Sequence, residues 1–108
     1  MSLTLADRIR IVDGLLAVPD MTTPGVRDAM YSLLPDVLAQ HQARHATARM
    51  EADALVTVCE NHSGSRPWVA VLAALSVLRP RDPAVSALAN VLSGLGLVAP
   101  DDKWEVRA

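Results

Sequence analysis

A chain of 108 residues is the size of one ordinary domain with one core. Apolar residues make up 51% of it, yet aromatics are 3% and Phe is absent, so the core must come from Leu, Val, Ala, Ile and Met, a palette of closely packed helices rather than of a β-sandwich. A net charge of −2 with scattered basic residues argues against nucleic-acid binding through a strong basic field, and a single Cys excludes an internal disulfide and fits a reducing cytoplasm.

The first predicted helix covers about residues 4–18. Leu5, Ile9, Val12 and Leu16 form its stripe, and Ile11, Leu15 and Val18 widen it. Pro19 ends it, since proline cannot extend a helix and biases Val18 away from helical angles. The opening "MSLTLADRIR" carries acid and arginine where a secretion signal needs an apolar run. The second helix is expected to start with Thr23 as N-cap and Pro24 at its first position, then to repeat Val26, Met30, Leu33 and Leu34 up to Pro35. Pro35 can itself open a short third helix, "PDVLAQH", around a tight corner. Residues 41–48 are polar and weakly patterned and read as a loop or a frayed helix start.

The fourth helix runs from about Arg49 to Asn61 or His62, with Ala52, Leu55, Val56 and Cys59 on one face. Gly64 stands where a left-handed C-terminal residue is wanted. The fifth starts at Ser65 or Arg66 before Pro67 and continues Trp68, Val71, Leu72, Leu75, Leu78. Its run "WVAVLAALSVL" is 11 residues, too short to span a bilayer. After "RPRDP", Asp82 as N-cap and Pro83 launch the sixth, with Val85, Leu88, Val91, Leu92 and Leu95. "GLGLVAPDD" closes it. The predicted architecture is all-α, a compact bundle of five or six helices over residues 1–95. An extended or disordered tail over 96–108 follows, in which Trp104 is either an exposed contact anchor or folded back on the bundle.

Candidate chemistry is sparse. Cys59 and His62 are three apart on one predicted helix and can be neighbours. A cysteine nucleophile, however, wants a depressed pKa, and the C-terminal end of a helix disfavours a thiolate. Cys59 therefore reads as a small core residue and His62 as a helix-end cap. His41 and His45 have the i,i+4 spacing that can place two imidazoles on one metal, but lack an apolar frame to hold them, so a solvated pair is expected and no metal. No carboxylate pair suited to acid/base catalysis emerges. Asp7, Asp13, Asp20, Asp28 and Asp36, intermixed with Arg8, Arg10 and Arg27, read either as a salt-bridged solvated face or as a charged docking surface. Nine of the ten basic residues are Arg and nine of the twelve acids are Asp, compatible with bidentate contacts at a protein-binding surface and equally with compositional bias.

Together these landmarks resemble the bacterial effector-associated domains, type 2 in particular. "IVDGLLAVPDM", Arg27 and "LLP" at 33–35 are similar to that family's opening helix, Pro-x-Met, arginine and Leu-Pro corner. Arg49 with Glu51, "LVTVC", Gly64, a Leu-rich helix and "DPAVSALANVL" are similar to its later landmarks, so the likeness spans about residues 8–95. The chain departs from the pattern at Gly64–Ser65, where a glycine pair is expected, and at "RPRDP", which replaces an acidic, glycine-bearing link. The resemblance implies a death-fold-like helical adaptor, not an enzyme and without cofactor, that couples sensor and effector modules in bacterial conflict or immune signalling. Implied partners are other effector-associated domains through homotypic contacts, with a possible homo-oligomer, and linked protease, ATPase or TIR-type effectors. Neither nucleic acid nor membrane is implied, and the expected location is the cytoplasm. Arg27, Asp28, Arg79, Arg81 and Asp82, at helix starts and loops, are the candidate interaction surface. Reversal of Arg79 and Arg81 to Glu is expected to abolish association without loss of helicity. The alternative function is a small helical DNA-binding regulator, although the fifth and sixth helices are too apolar for a recognition helix.

Overall fold

The Thr4 hydroxyl accepts the Asp7 amide at 3.1 Å and the Asp7 carboxylate reaches back to the Thr4 amide at 3.3 Å, a reciprocal cap that starts α1 (Leu5–Ala17). The structure, a computed structural model, describes residues 3–19, 21–40, 42 and 47–104. After α1 come α2 (Pro24–Leu33), the single turn α3 (Asp36–Ala39), α4 (Ala48–Asn61), a 3₁₀ turn (Ser63–Ser65), α5 (Pro67–Leu78) and α6 (Pro83–Gly94). Every regular element among the described residues is helical, as expected from the composition.

The start signals act as anticipated, with one exception. Asp82 caps α6 by accepting the Ala84 amide at 2.8 Å, and Thr47, which falls in the stretch read as a loop or frayed start, caps α4 by accepting the Met50 amide. Thr23 occupies the N-cap position of α2 without making a side-chain bond. The left-handed residue after α4 is not Gly64, which lies inside the 3₁₀ turn. It is Arg66, at φ 53°, because the chain must reverse immediately before Pro67 and no glycine stands there. Gly96, at φ 75°, does end α6 in the expected way. The Leu97 amide donates to the Leu92 carbonyl and the Gly96 amide to Ser93, the paired bonds of a Schellman closure.

α1 packs between α4 and α6, α2 lies against α5, and α5 against α6. The core joins Ile11 and Leu15 of α1, Met30 of α2, Leu55 and Val56 of α4, Leu72 and Leu75 of α5, and Leu88 and Leu92 of α6. Along α1 the buried face centres on Ile11 and Leu15, so Leu5 and Ile9 fall on its flank and stay exposed. That departs from the predicted stripe. A Cβ on Gly14 would stand 2.9 Å from Leu88 Cδ1, so glycine at this position lets α1 and α6 approach closely. α5 is apolar nearly all round and seven of its residues are buried, the pattern of a central helix.

Surface charges between α1 and α4 are spent on holding those helices together. Arg8 donates to the Asp53 carboxylate at 2.9 Å, to the Thr57 hydroxyl and to Glu60, while Arg49 pairs with Asp13 at 2.8 Å. The first half of α1 thus meets the second half of α4, and the two run antiparallel. Both Arg49 and Asp13 are more than half exposed, so that pair contributes under about 1 kcal/mol. Its role is register more than stability.

Beyond Gly96 the chain has no helix but is not detached. Val98 is buried, Trp104 packs half-buried against the core, and Asp102 pairs with Arg66 and accepts the Ala99 amide at 2.7 Å. The segment from 96, expected to be extended or disordered, is instead a run of turns docked as far as Trp104, and Trp104 folds back rather than projecting. Residues 105–108 lie outside the described residues.

Candidate functional site

Cys59 and His62 are the only Cys–His neighbours the sequence singles out, and the fold separates their roles. Cys59 faces Leu55 and Val56 inside the core and is 1% exposed. Burial pushes its thiol up to about 12 from an ordinary 9.0, the reverse of what a nucleophile needs. His62 sits at the end of α4, where its Nδ1–H donates to the Val58 carbonyl at 2.9 Å. The same carbonyl accepts the His62 amide at 3.1 Å, so the ring adds a second bond at the C-terminal end of the helix, consistent with the capping reading.

The raised thiol pKa has a signed consequence. Above pH 9 the unfolded chain releases the Cys59 proton while the folded protein keeps it until about 12. Folding stability is therefore expected to be unaffected by this group below pH 9 and to fall through the 9–12 window. Urea titrations of the native sequence and of Cys59→Ala between pH 8 and 11 should diverge, with the steeper decline in the native sequence. Iodoacetamide should label Cys59 only at the rate of unfolding; rapid native-state labelling would contradict the placement.

A cleft of about 380 Å³ opens beside this region, where the end of α4, the start of α5 and the segment after α6 converge. Glu60, Asn61, Arg66, Trp68 and Leu97 line it. Cys59 and His62 do not converge in it, since only Cys59 reaches its wall and the His62 ring is turned back to its own helix. Among the described residues no group of three His, Cys, Asp or Glu side chains could hold a metal ion. His41 and His45, the i,i+4 pair, lie outside the described residues.

The five charged residues expected to form an interaction surface divide sharply. Arg27 does not belong to a surface. It is 3% exposed, its Nε donates to Glu51 Oε2 at 2.8 Å and its Nη1 to the Met21 carbonyl at 3.0 Å. A buried cation requires a partner, and Glu51, itself fully buried, supplies it across the α2–α4 contact. Sequence reasoning had both residues in hand but not the pair. They are 24 positions apart, on different helices, and no local spacing links them. Asp28, the next residue along, is exposed.

Arg79, Arg81 and Asp82 come together at the α5–α6 corner. Asp82 is committed to the fold, one oxygen capping α6 and the other accepting Arg79 Nε at 3.2 Å. Arg79→Glu would place a carboxylate against that cap, so the double reversal with Arg81 cannot leave α6 untouched. Arg81 differs from both. It is exposed, has no ion-pair partner among the described residues, and holds a left-handed backbone at φ 59°. For a residue with a Cβ that conformation costs on the order of 1 kcal/mol.

No described helix is long and apolar enough to cross a membrane. The family model described as effector-associated domain 2 matches residues 12–93, from the middle of α1 to the last turn of α6. No curated protein and no solved structure matches the chain.

Proposed function

Because the chain belongs to the effector-associated domain 2 family, we propose that it is a non-enzymatic interaction module that joins a sensor to an effector in bacterial conflict or immune signalling, through association with like domains. The carrying observation is the extent of the family match, which runs from the second half of α1 into the last turn of α6 and includes both members of the buried Arg27–Glu51 pair. The chemistry of the interior supports the reading. The one thiol is buried and held protonated, and the interior ion pair fastens α2 to α4. What remains available to act is the outside of the bundle, where charge complementarity selects partners and speeds their encounter.

The test is sedimentation velocity on the purified chain across a concentration series, alongside a gel shift with random duplex DNA at low salt. Concentration-dependent association without duplex binding is the expected result. Duplex binding that weakens steeply with salt would instead favour the DNA-regulator reading.

A further inference from the structure

Two corners of the bundle carry matched surfaces that the fold leaves unused. At the α5–α6 corner, Val77 is 49% exposed and stands one turn before Arg81, with the exposed Pro80 between them. At the α2–α3 corner, Leu33 is 46% and Val37 38% exposed, flanking Asp36, which is exposed and has no ion-pair partner among the described residues. Each is therefore a small apolar contact beside one unspent charge, and the charges are opposite. Most other described arginines are committed: Arg8, Arg27, Arg49, Arg66 and Arg79 all have carboxylate partners within the chain, and Arg10, on the α1 surface, is the other exposed one without such a partner among the described residues.

We propose that the α5–α6 corner of one copy docks on the α2–α3 corner of a second copy, setting Arg81 against Asp36 and Val77 against Leu33 and Val37. This rests on the homotypic reading above and names its surfaces. The occupant is a second copy because one chain carries both halves of the match. A basic ligand would suit only the Asp36 corner, an acidic ligand only the Arg81 corner. The left-handed backbone at Arg81 adds a second reason. An arginine stands there in a strained conformation that glycine would relieve, and strain of this kind clusters where a side chain has a use. Such a contact joins two different patches, so it need not close on itself, and successive copies can add in a chain or ring. The apolar areas are small, which makes the contact weak, reversible and sensitive to salt.

The experiment compares the native chain with Asp36→Arg and Arg81→Glu by sedimentation equilibrium, with circular dichroism as the check on folding. Each single reversal sets like charges against each other and is expected to weaken self-association more than about tenfold. Mixing the two variants, or combining both changes in one chain, restores opposite charges across the contact and should restore association. Recovery from two inactive proteins also demonstrates that both are folded. Arg81→Gly, which relaxes the backbone, should fold at least as well and still associate poorly. If the native chain associates but neither reversal weakens it, the surfaces are wrong and the homotypic reading stands. Failure of the mixture to recover likewise overturns the pairing. A native chain that stays monomeric throughout the concentration series overturns both.

Discussion

Glu51→Ala is expected to lower the unfolding free energy by about 3–5 kcal/mol, the cost of leaving a buried arginine without its counter-charge. Arg27 keeps only the Met21 carbonyl for its guanidinium, and at 3% exposure it cannot turn to water without opening the α2–α4 contact. Domains of this size hold about 5–15 kcal/mol in all, so the loss takes a large part of the total. A thermal melt should shift down by on the order of 15 °C or more. Replacing both partners, as Arg27→Met with Glu51→Leu, should recover much of it, because two apolar side chains need no compensation there. Recovery is incomplete where the Met21 carbonyl loses its donor. Asp13→Asn, which breaks the exposed pair with Arg49, is the contrast and should move the melt by only a degree or two. Equal shifts for Glu51→Ala and Asp13→Asn would show that the Arg27–Glu51 pair is not buried as described.

Trp68→Ala carries the second large effect, again about 3–5 kcal/mol. Trp68 is 3% exposed in the first turn of α5 and is one of the few large rings in a chain whose core is otherwise aliphatic. Its truncation would enlarge the cleft it already lines with Cys59 and Leu97. The aliphatic neighbours cannot close that space, since the start of α5 is fixed by Pro67 and by the Arg66–Asp102 pair. Chemical denaturation should show a lower midpoint with an unchanged slope. Fluorescence then reports Trp104 alone, half-buried against the bundle. Trp68→Phe should cost markedly less, because a ring still fills most of the space. If Trp68→Ala leaves the midpoint unchanged, the ring does not pack in the core.

Much of this architecture could be read residue by residue along the chain. Asp82 precedes α6 and satisfies its first amides through one carboxylate, a local arrangement legible from spacing, while Thr4 and Thr47 do the same for α1 and α4 at positions the apolar pattern passes over. Pro24, Pro67 and Pro83 mark first helical positions for the same local reason. The placing of Cys59 inside and of His62 on the end of its helix also follows from period and position.

What failed was local reasoning about long-range partners. Arg27 looks like a surface cation in its own stretch of sequence, and only Glu51, arriving from another helix, makes its burial possible. Arg66 takes the left-handed backbone expected of Gly64 because the position of the reversal is decided by where α5 must dock, not by which residue turns most easily. Leu5 and Ile9 remain outside since α4 and α6 choose which side of α1 is covered.

The sequence by itself determined that this protein is a bundle of short helices, close to where most of them begin, and which family it resembles, because caps, prolines and apolar period act within a few residues. Only the tertiary structure decided which charges are spent inside the fold and which, like Arg81 and Asp36, are left on the surface. Pairing depends on helices that meet in space from distant parts of the chain, and no spacing along one helix encodes it.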